Sequence, residues 1–443
     1  MAGDPRAPGR PAVIVVGAGF AGLAAVDELS RTGMDVLLID RNVYSTFQPL
    51  LYQVATGGLN PGDVSYPARA FTRQHGARFR LGEVTAVDPA ARRITLADGA
   101  QLGYDYLVLA TGVSAAYYGV AGAAEHSLGL YTRRDAIDLR NHLMARLERL
   151  DIAGPGKEVN FTVVGGGATG VELAGALAEL RSTALDAAFP EVDLAAVHIR
   201  LVEQAPALLL PFNPELREYA RQQLAGRGVE VRLAEAIAEV RSDRVILASG
   251  EELPSDVTVW AAGVSAPAEV AGWGLPQGRG GRILVEPDLR VRGQDHIFAL
   301  GDLALIEDQP LPQLAQPALQ TGRHAARQIR RLAGGEQAIA FEYRDKGIMA
   351  TIGRRSAVVE LPHRIRVRGT LAWLAWLALH LLTLLGNRNR LSALLNLSWR
   401  YLTWGHGGGV IVGDDPLPFM VAGPLPVGTE RRALDGEQAR VSD

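Results

Sequence analysis

Two stretches of the chain repeat one pattern of apolar and polar positions. In the first, the apolar run Ala12–Val16 leads into Gly17-Ala18-Gly19-Phe20-Ala21-Gly22, then a helix-period segment over Gly19–Arg31 and a second apolar run over Val36–Asp40. In the second, Val159–Val164 leads into Gly165-Gly166-Gly167-Ala168-Thr169-Gly170, a helix over Thr169–Arg181 and a strand over Ile199–Glu203. Short continuous apolar runs that alternate with helical segments predict β-α-β units and a parallel sheet covered on both faces. Tyr106–Leu109 and Val257–Trp260 are further buried strands, each running into Gly (Ala110-Thr111-Gly112 and Ala261-Ala262-Gly263), and Ile297–Leu300 runs into Gly301-Asp302. Phe79–Ala86, Arg93–Leu96 and Gln101–Leu102 predict a small antiparallel excursion, and Thr132–Leu150 a charged amphipathic helix followed by a linker over 151–156. Thr46–Gly58 reads as a loop with more apolar surface than a solvent loop needs.

The last quarter follows another rule. Leu371–Leu385 is interrupted only by His380 and Thr383, with Trp373 and Trp376 near its start. After Asn387-Arg388-Asn389-Arg390, Leu391–Trp404 carries Leu391, Leu394, Leu395 and Leu402 at helical spacing. As a helix the first stretch reaches about 22 Å, short of the ~30 Å hydrocarbon core of a bilayer. Arg364, Arg366 and Arg368 precede it and Arg388 and Arg390 follow. Apolar helices with Trp and Arg at their margins predict a hairpin lying in one leaflet. The polar residues 427–443 are expected to be disordered.

Composition removes several classes of function. With 48% hydrophobic and 21% charged residues the chain is an ordinary globular protein, and its 443 residues suggest two to four domains. A net charge of −3 gives no reason to expect nucleic acid. There is no cysteine, so disulfides, thiolate metal ligands and thiol relays are excluded. His380 has no neighbouring His and no metal site is expected; the first eleven residues lack an apolar segment, so no secretory signal is expected.

The spacing G-x-G-x-x-G after a strand and into a helix is the context of a dinucleotide site. The first glycine makes the tight turn, the second admits a pyrophosphate and the third lets helix pack on strand. An acid at the end of the next strand, Asp40 or Glu203, can accept from ribose hydroxyls. Two such motifs 165 − 17 = 148 residues apart suggest two dinucleotides, with electrons passing from one to the other.

Further motifs carry a resemblance. They are Phe47-Gln48-Pro49-Leu50-Leu51-Tyr52-Gln53-Val54-Ala55, Gly165–Glu172, Ala315-Gln316-Pro317-Ala318-Leu319-Gln320 and Lys346-Gly347-Ile348-Met349-Ala350-Thr351-Ile352-Gly353. Over about residues 11–410 the chain resembles type II NADH dehydrogenase, the single-subunit, non-proton-pumping NADH:quinone oxidoreductase of the two-dinucleotide flavoprotein superfamily. The resemblance implies FAD in the first module, with Gly17, Gly19 and Gly22 at its pyrophosphate, Asp40 at its ribose and Asp302 at its ribityl chain. It also brings Phe20, Ala21, Arg41, Val84, Ala110, Thr111, Gly112, Gly301, Ala315 and Gln316 to the FAD. NADH would lie on Gly165, Gly167, Ala168, Thr169, Gly170, Glu172, Glu203, Ala262 and Gly263, with Glu203 selecting against a 2′-phosphate. Glu172, Gln316, Gln320 and Lys346 are the implied catalytic residues. Pro317 and Ile348 depart from the expected pattern and bear on the shape of the quinone pocket.

The implied organisation is an FAD domain over 11–125 and 288–340 and an NADH domain over 126–287. A membrane-anchoring, quinone-access region over 341–426 follows. The implied partners are a membrane quinone (menaquinone or ubiquinone), the cytoplasmic face of the cell membrane and a second copy of the chain. Two rival readings use the same modules: an NADH-dependent reductase of a soluble protein, and an NADH-responsive redox sensor. Quinone turnover separates them.

Overall fold

The structure, a computed structural model, describes residues 11–154, 156–185, 189–190, 192–403 and 412–413. Trp404 and the tail over 427–443 lie outside the described residues, as does the start of the chain up to 10. Chain contacts divide the protein into two units: 11–47, Ser65–Ala116 and Val264–Lys346 in one; Gln48–Val64, Tyr117–Gly263 and the residues from Gly347 in the other.

The first unit is built on a five-stranded parallel sheet in the order Ile297–Ala299, Tyr106–Leu109, Ala12–Val16, Asp35–Asp40, Arg78–Leu81. Ala12–Val16 is buried along its length, as a central parallel strand must be. Helix Phe20–Leu29 packs against helix Ala315–Ala333 with almost no space between their backbones. A Cβ on Gly322 would lie 2.2 Å from the carbonyl oxygen of Ala21. One strand departs from expectation. Arg78–Leu81 is not part of the antiparallel excursion but is the parallel edge of the main sheet, where Arg78 pairs with Asp35 at 2.7 Å. Only Val84–Asp88, Arg93–Leu96 and Gln101–Gly103 form the antiparallel meander. Alternation alone does not distinguish a strand that ends at Gly82 from one that runs through it. Residues 264–287 cluster with this unit because Val264–Ser265 pairs with Ser114–Ala115 and Ile283–Leu284 with Ala304–Leu305.

The second unit repeats the plan. Val159–Val164 lies between Val197–Glu203 and Val257–Trp260, with Val229–Leu233 at the edge, and every pairing is parallel. Helix Ala168–Glu179 follows the glycine turn. Helix Arg133–Ala153 starts on a capping box in which Thr132 and Asp135 satisfy each other's backbone N–H groups. Two antiparallel sheets complete the unit, one of them Ile348–Gly353, Ser356–Leu361 and Ile365–Arg368.

The predicted loop over 46–58 is largely helical: a 3-10 turn at Gln48–Leu50 and a helix at Leu51–Ala55 with all five residues buried. A single turn is too short to nucleate itself in water. Here it is held by packing against Arg133–Ala153 and Ala168–Glu179. The apolar surplus noted in the sequence is therefore its core-facing surface.

The C-terminal helices are Thr370–Thr383 and Asn387–Thr403. No helix among the described residues is long and apolar enough to cross a membrane. The second is tied down by Asp63, which is buried and accepts from Ser392 Oγ at 2.6 Å and Asn396 Nδ2 at 2.7 Å.

Gly322→Ala is expected to force the two packed helices of the first unit apart and to destabilise the protein by about 1–3 kcal/mol. A thermal midpoint unchanged from the parent would contradict this packing account.

Candidate functional site

The two glycine turns share one geometry. Gly17 and Gly165 have φ of 107° and 110°, a backbone that side chains rarely adopt. A Cβ at Gly22 would lie 1.8 Å from the carbonyl oxygen of Gly17, and one at Gly170 would lie 1.9 Å from that of Gly165. These pairs close the turn and bring the helix onto the strand. The middle glycines behave oppositely: a Cβ on Gly19 or Gly167 meets nothing within 4 Å. Each middle glycine is also the N-cap of its helix, and neither helix has a side-chain cap. The first N–H groups of both helices are thus left to a ligand, and the dipole favours an anionic one. Open space over a bare backbone, beside uncapped N–H groups, fits a pyrophosphate in both units. Ala168 and Thr169 stand exposed at the start of the second helix.

Asp40 and Glu203 also occupy equivalent places. Asp40 accepts the N–H of Ala18 and the N–H of Asn42, both at 2.6 Å. Glu203 accepts from Gly166 N–H at 2.5 Å and Ala205 N–H at 2.7 Å. Each acid ties the end of its strand to the residue after the first glycine. Burial pushes Asp40 above the usual carboxylate value, against the opposing effect of its two N–H donors.

The remaining first-unit residues have the following surroundings. Ala110 presents the carbonyl that crowds Gly17, and Thr111 has a buried hydroxyl without a partner. Phe20 meets Phe47 edge-on at 5.7 Å. Gly301, with φ of 59°, donates its N–H to Thr321 Oγ1 at 3.1 Å, which sets the Gly301-Asp302 turn on helix Ala315–Ala333. Arg282 donates to the Asp302 carbonyl at 2.9 Å. Arg41 is largely exposed and 3.5 Å from Glu269, while Val84 is buried at the head of the meander and Gly112 follows Thr111 with φ of 71°.

The two glutamines of the Ala315–Gln320 motif have different surroundings. The Gln320 carboxamide is fully engaged with one backbone unit: Nε2 donates to Arg344 O at 2.9 Å, and Arg344 N–H donates to Oε1 at 3.0 Å. The Gln316 side chain forms no hydrogen bond among the described residues. Lys346 is exposed, two residues beyond the backbone that Gln320 clamps.

In the second unit, Glu172 gathers three distant segments. It lies on helix Ala168–Glu179, whose Gly175 would put a Cβ 2.2 Å from Ile352 O. That close approach brings strand Ile348–Gly353 onto the helix, and Thr351 N–H donates to Glu172 Oε1 at 3.2 Å. Glu179, two turns on, accepts from Arg354 N–H in the same way. Trp376 lies near enough to the Glu172 carboxyl to favour its ionised form. Part of the residue stays open, but protein surrounds the carboxyl, and desolvation outweighs the effects of Thr351 and Trp376, raising its pKa to about 8. Tyr52 closes the cluster, its ring centroid 6.1 Å from that of Trp376. Gly263 faces the hydroxyl of Tyr118, and Ala262 packs on the core around Trp260.

One residue differs from the sequence reading. Trp376 is not at a membrane margin; it is 2% exposed. His380 is stacked on it at 4.1 Å and 26°. The signal was present, since Ala372, Trp376 and His380 recur every four residues and mark one helix face.

Residues 11–322 match the family model for pyridine nucleotide-disulphide oxidoreductases. The chain is 37% identical over 414 residues to the type II NADH:quinone oxidoreductase NdhA of Mycobacterium tuberculosis, covering 88% of this chain and 87% of that protein. It is 31% identical over 367 residues to the type II NADH:quinone oxidoreductase of Staphylococcus haemolyticus, covering 79% and 89%. The structure of NDH2 from Plasmodium falciparum in complex with NADH aligns with a TM-score of 0.83 at 18% identity over 91% of this chain and all of that one; this likeness speaks to the fold alone.

The Glu172 carboxyl makes a prediction with a definite sign. Its ordinary value is 4.5 and its folded value about 8, so between these pH values the folded chain holds a proton that the unfolded chain has released. Stability therefore falls as pH rises through that window. Glu172→Gln is expected to raise the thermal midpoint progressively from about pH 5 to pH 8, with no pH-dependent gain at pH 4. Melting curves whose difference is the same at every pH would refute the assignment.

Proposed function

The chain belongs to the type II NADH:quinone oxidoreductases, and on that premise we propose which of its residues carry the oxidation of NADH and the reduction of quinone. FAD is the resident cofactor, and it supplies the step that joins hydride removal from NADH to two-electron reduction of the quinone. The observation that carries the assignment of residues is the paired geometry of the glycine turns, closed at the first and third glycines and open at the second.

In the first unit, Gly19 and the uncapped start of helix Phe20–Leu29 bind the FAD pyrophosphate. Asp40 takes the ribose hydroxyls, and the unpartnered Thr111 hydroxyl and Asp302 hold the rest of the flavin nucleotide. In the second unit, Gly167 and its helix start hold the NADH pyrophosphate. Glu203 accepts from the adenosine ribose, and its charge opposes a 2′-phosphate, so NADH is used over NADPH.

For the quinone we assign Gln316 as the donor to a carbonyl oxygen, a role supported by its unengaged carboxamide. A carboxamide donates without itself titrating. Gln320 acts one step away, holding the backbone that leads to Lys346. The Lys346 ammonium stabilises negative charge that develops on the quinone oxygen. Glu172 retains a proton at neutral pH and is the proton source of its unit, since quinol formation takes up two protons.

We further assign the C-terminal helices to the membrane surface. Leu371, Leu374, Leu379 and Leu382 of one helix and Leu391, Leu394 and Leu395 of the next are exposed, beside the Arg-rich strand Ile365–Arg368. Leucine that enters the acyl region and arginine at the headgroups describe a monotopic contact. The face is the cytoplasmic one, because NADH is a charged solute that the bilayer excludes.

Steady-state oxidation of NADH and NADPH with a short-chain quinone, with ferricyanide as control acceptor, tests these roles. Gln316→Ala is expected to lower quinone kcat/KM by about 10–100-fold while ferricyanide reduction persists. Equal losses with both acceptors would remove Gln316 from the quinone step. Gly167→Ala is expected to leave the thermal midpoint close to the parent's and to raise KM for NADH about tenfold or more, because the added methyl occupies ligand space, not protein space. An unchanged KM would sink the second-unit assignment.

A further inference from the structure

The Gly301-Asp302 turn is fixed by groups outside itself. Leu300 follows strand Ile297–Ala299 and still donates its N–H to Leu109 O at 2.9 Å in the parallel sheet. The chain leaves the sheet at Gly301, with φ of 59°, and makes a single 3-10 turn over Gly301–Leu303. Glycine in the left-handed region has no side chain to limit its dihedrals, so neighbours must set the direction of the residue that follows. A side chain would be crowded there: a Cβ on Gly301 would lie 3.2 Å from Ala21 Cβ and 3.3 Å from Ala318 Cβ. Two other residues grip the turn. Thr321 is fully buried, and its Oγ1 accepts the Gly301 N–H at 3.1 Å. The same hydroxyl donates back into its own helix, 2.9 Å from Pro317 O and 3.0 Å from Ala318 O. A hydroxyl has one proton and two lone pairs, so a committed proton still leaves an acceptor for Gly301. The back-bond also selects one of the two helical rotamers open to threonine. At the far end, Arg282 Nε donates to Asp302 O at 2.9 Å and Arg282 Nη2 donates to Ala304 O. Of residues 300–305, Asp302 is the one that is not buried.

We propose that Thr321 is a positioning residue for the flavin: its hydroxyl, held by its own helix, fixes the Gly301 amide and so sets where the Asp302 side chain stands. This rests on the reading of Asp302 as a holder of the flavin nucleotide. Helix Ala315–Ala333 also carries Gln316 in its first turn, so Thr321 registers the flavin turn against the helix that presents the residue assigned to the quinone. The oxygen carries this role. Valine has the shape of threonine but no lone pair, and it leaves the buried Gly301 N–H without an acceptor. Serine keeps the oxygen and loses one methyl group from a packed site. A residue that only fills space tolerates valine better than serine. A residue that holds the amide tolerates serine better than valine. A hydroxyl that served stability alone would change the melting temperature and leave the hold on FAD as it is.

The test compares Thr321→Val and Thr321→Ser as full-length, FAD-loaded protein. The first readout is the rate at which FAD leaves, measured as the rise in flavin fluorescence after dilution. Release is expected to be about tenfold faster in Thr321→Val and within about twofold of the parent in Thr321→Ser. The second readout is amide hydrogen exchange over residues 298–305 by mass spectrometry. Exchange is expected to quicken in Thr321→Val and to keep the parent rate in Thr321→Ser. FAD release at the parent rate in folded Thr321→Val overturns the proposal, whatever its melting temperature, and so does release that quickens as much in Thr321→Ser as in Thr321→Val. If Thr321→Val does not fold, Thr321→Ala set against Thr321→Ser isolates the hydroxyl and is read in the same way. Unchanged FAD release in Asp302→Ala would overturn the reading of Asp302 instead, while exchange over 298–305 still reports whether Thr321 holds the turn.

Discussion

Both nucleotide units depend on a carbonyl oxygen that leaves no room for a side chain. The oxygen of Gly17 occupies the space a Cβ at residue 22 would need, and that of Gly165 does so for residue 170. Only with those atoms missing can each helix start close against its strand. The same closure leaves the middle glycine bare and the first helical N–H groups without a cap. Asp40 and Glu203 then hold the turn from the neighbouring strand. Binding capacity here follows from steric exclusion in one place and its absence two residues away.

Small residues do a related job around Glu172. Helix Ala168–Glu179 is rich in Gly and Ala on the side that meets strand Ile348–Gly353, and the closeness of that contact delivers a backbone N–H to the carboxyl. Charge-assisted hydrogen bonds contribute about 1.5–3 kcal/mol each. The effective penalty for removing a carboxylate from water is several kcal/mol. With the Thr351 N–H as its hydrogen-bond donor and no cation among the groups that act on it, desolvation wins, and the group's pKa is raised to about 8.

Much of this was legible in the sequence because it depends on residues close in the chain. The glycine turns, the acids ending the next strand and the parallel sheets are local consequences of spacing. What was not legible depends on long-range packing. The helix at Leu51–Ala55 is too short to declare itself and exists because its buried face is needed elsewhere. Arg78–Leu81 carries the same alternation whether it joins the meander or the main sheet. Trp376 looked like a membrane-margin residue because tryptophan beside leucine and arginine is the usual mark of one; it is buried, with its ring against Tyr52, which lies more than three hundred positions earlier in the chain (376 − 52 = 324). The differing environments of Gln316 and Gln320 follow from where Arg344 returns, which no local pattern encodes.

The hydrogen bonds of Glu203 have an evolutionary consequence. Its carboxylate is the feature we propose distinguishes one dinucleotide from another, and it is also a fastener for the backbone of Gly166 and Ala205. On that reading, a mutation that discards the carboxylate to admit a phosphorylated ribose also loosens the glycine turn beside it. A lineage that changes its reductant must therefore first acquire a substitute fastener, and the order of those mutations is constrained. Coenzyme preference in such a protein is epistatic by construction, resistant to drift at a single codon.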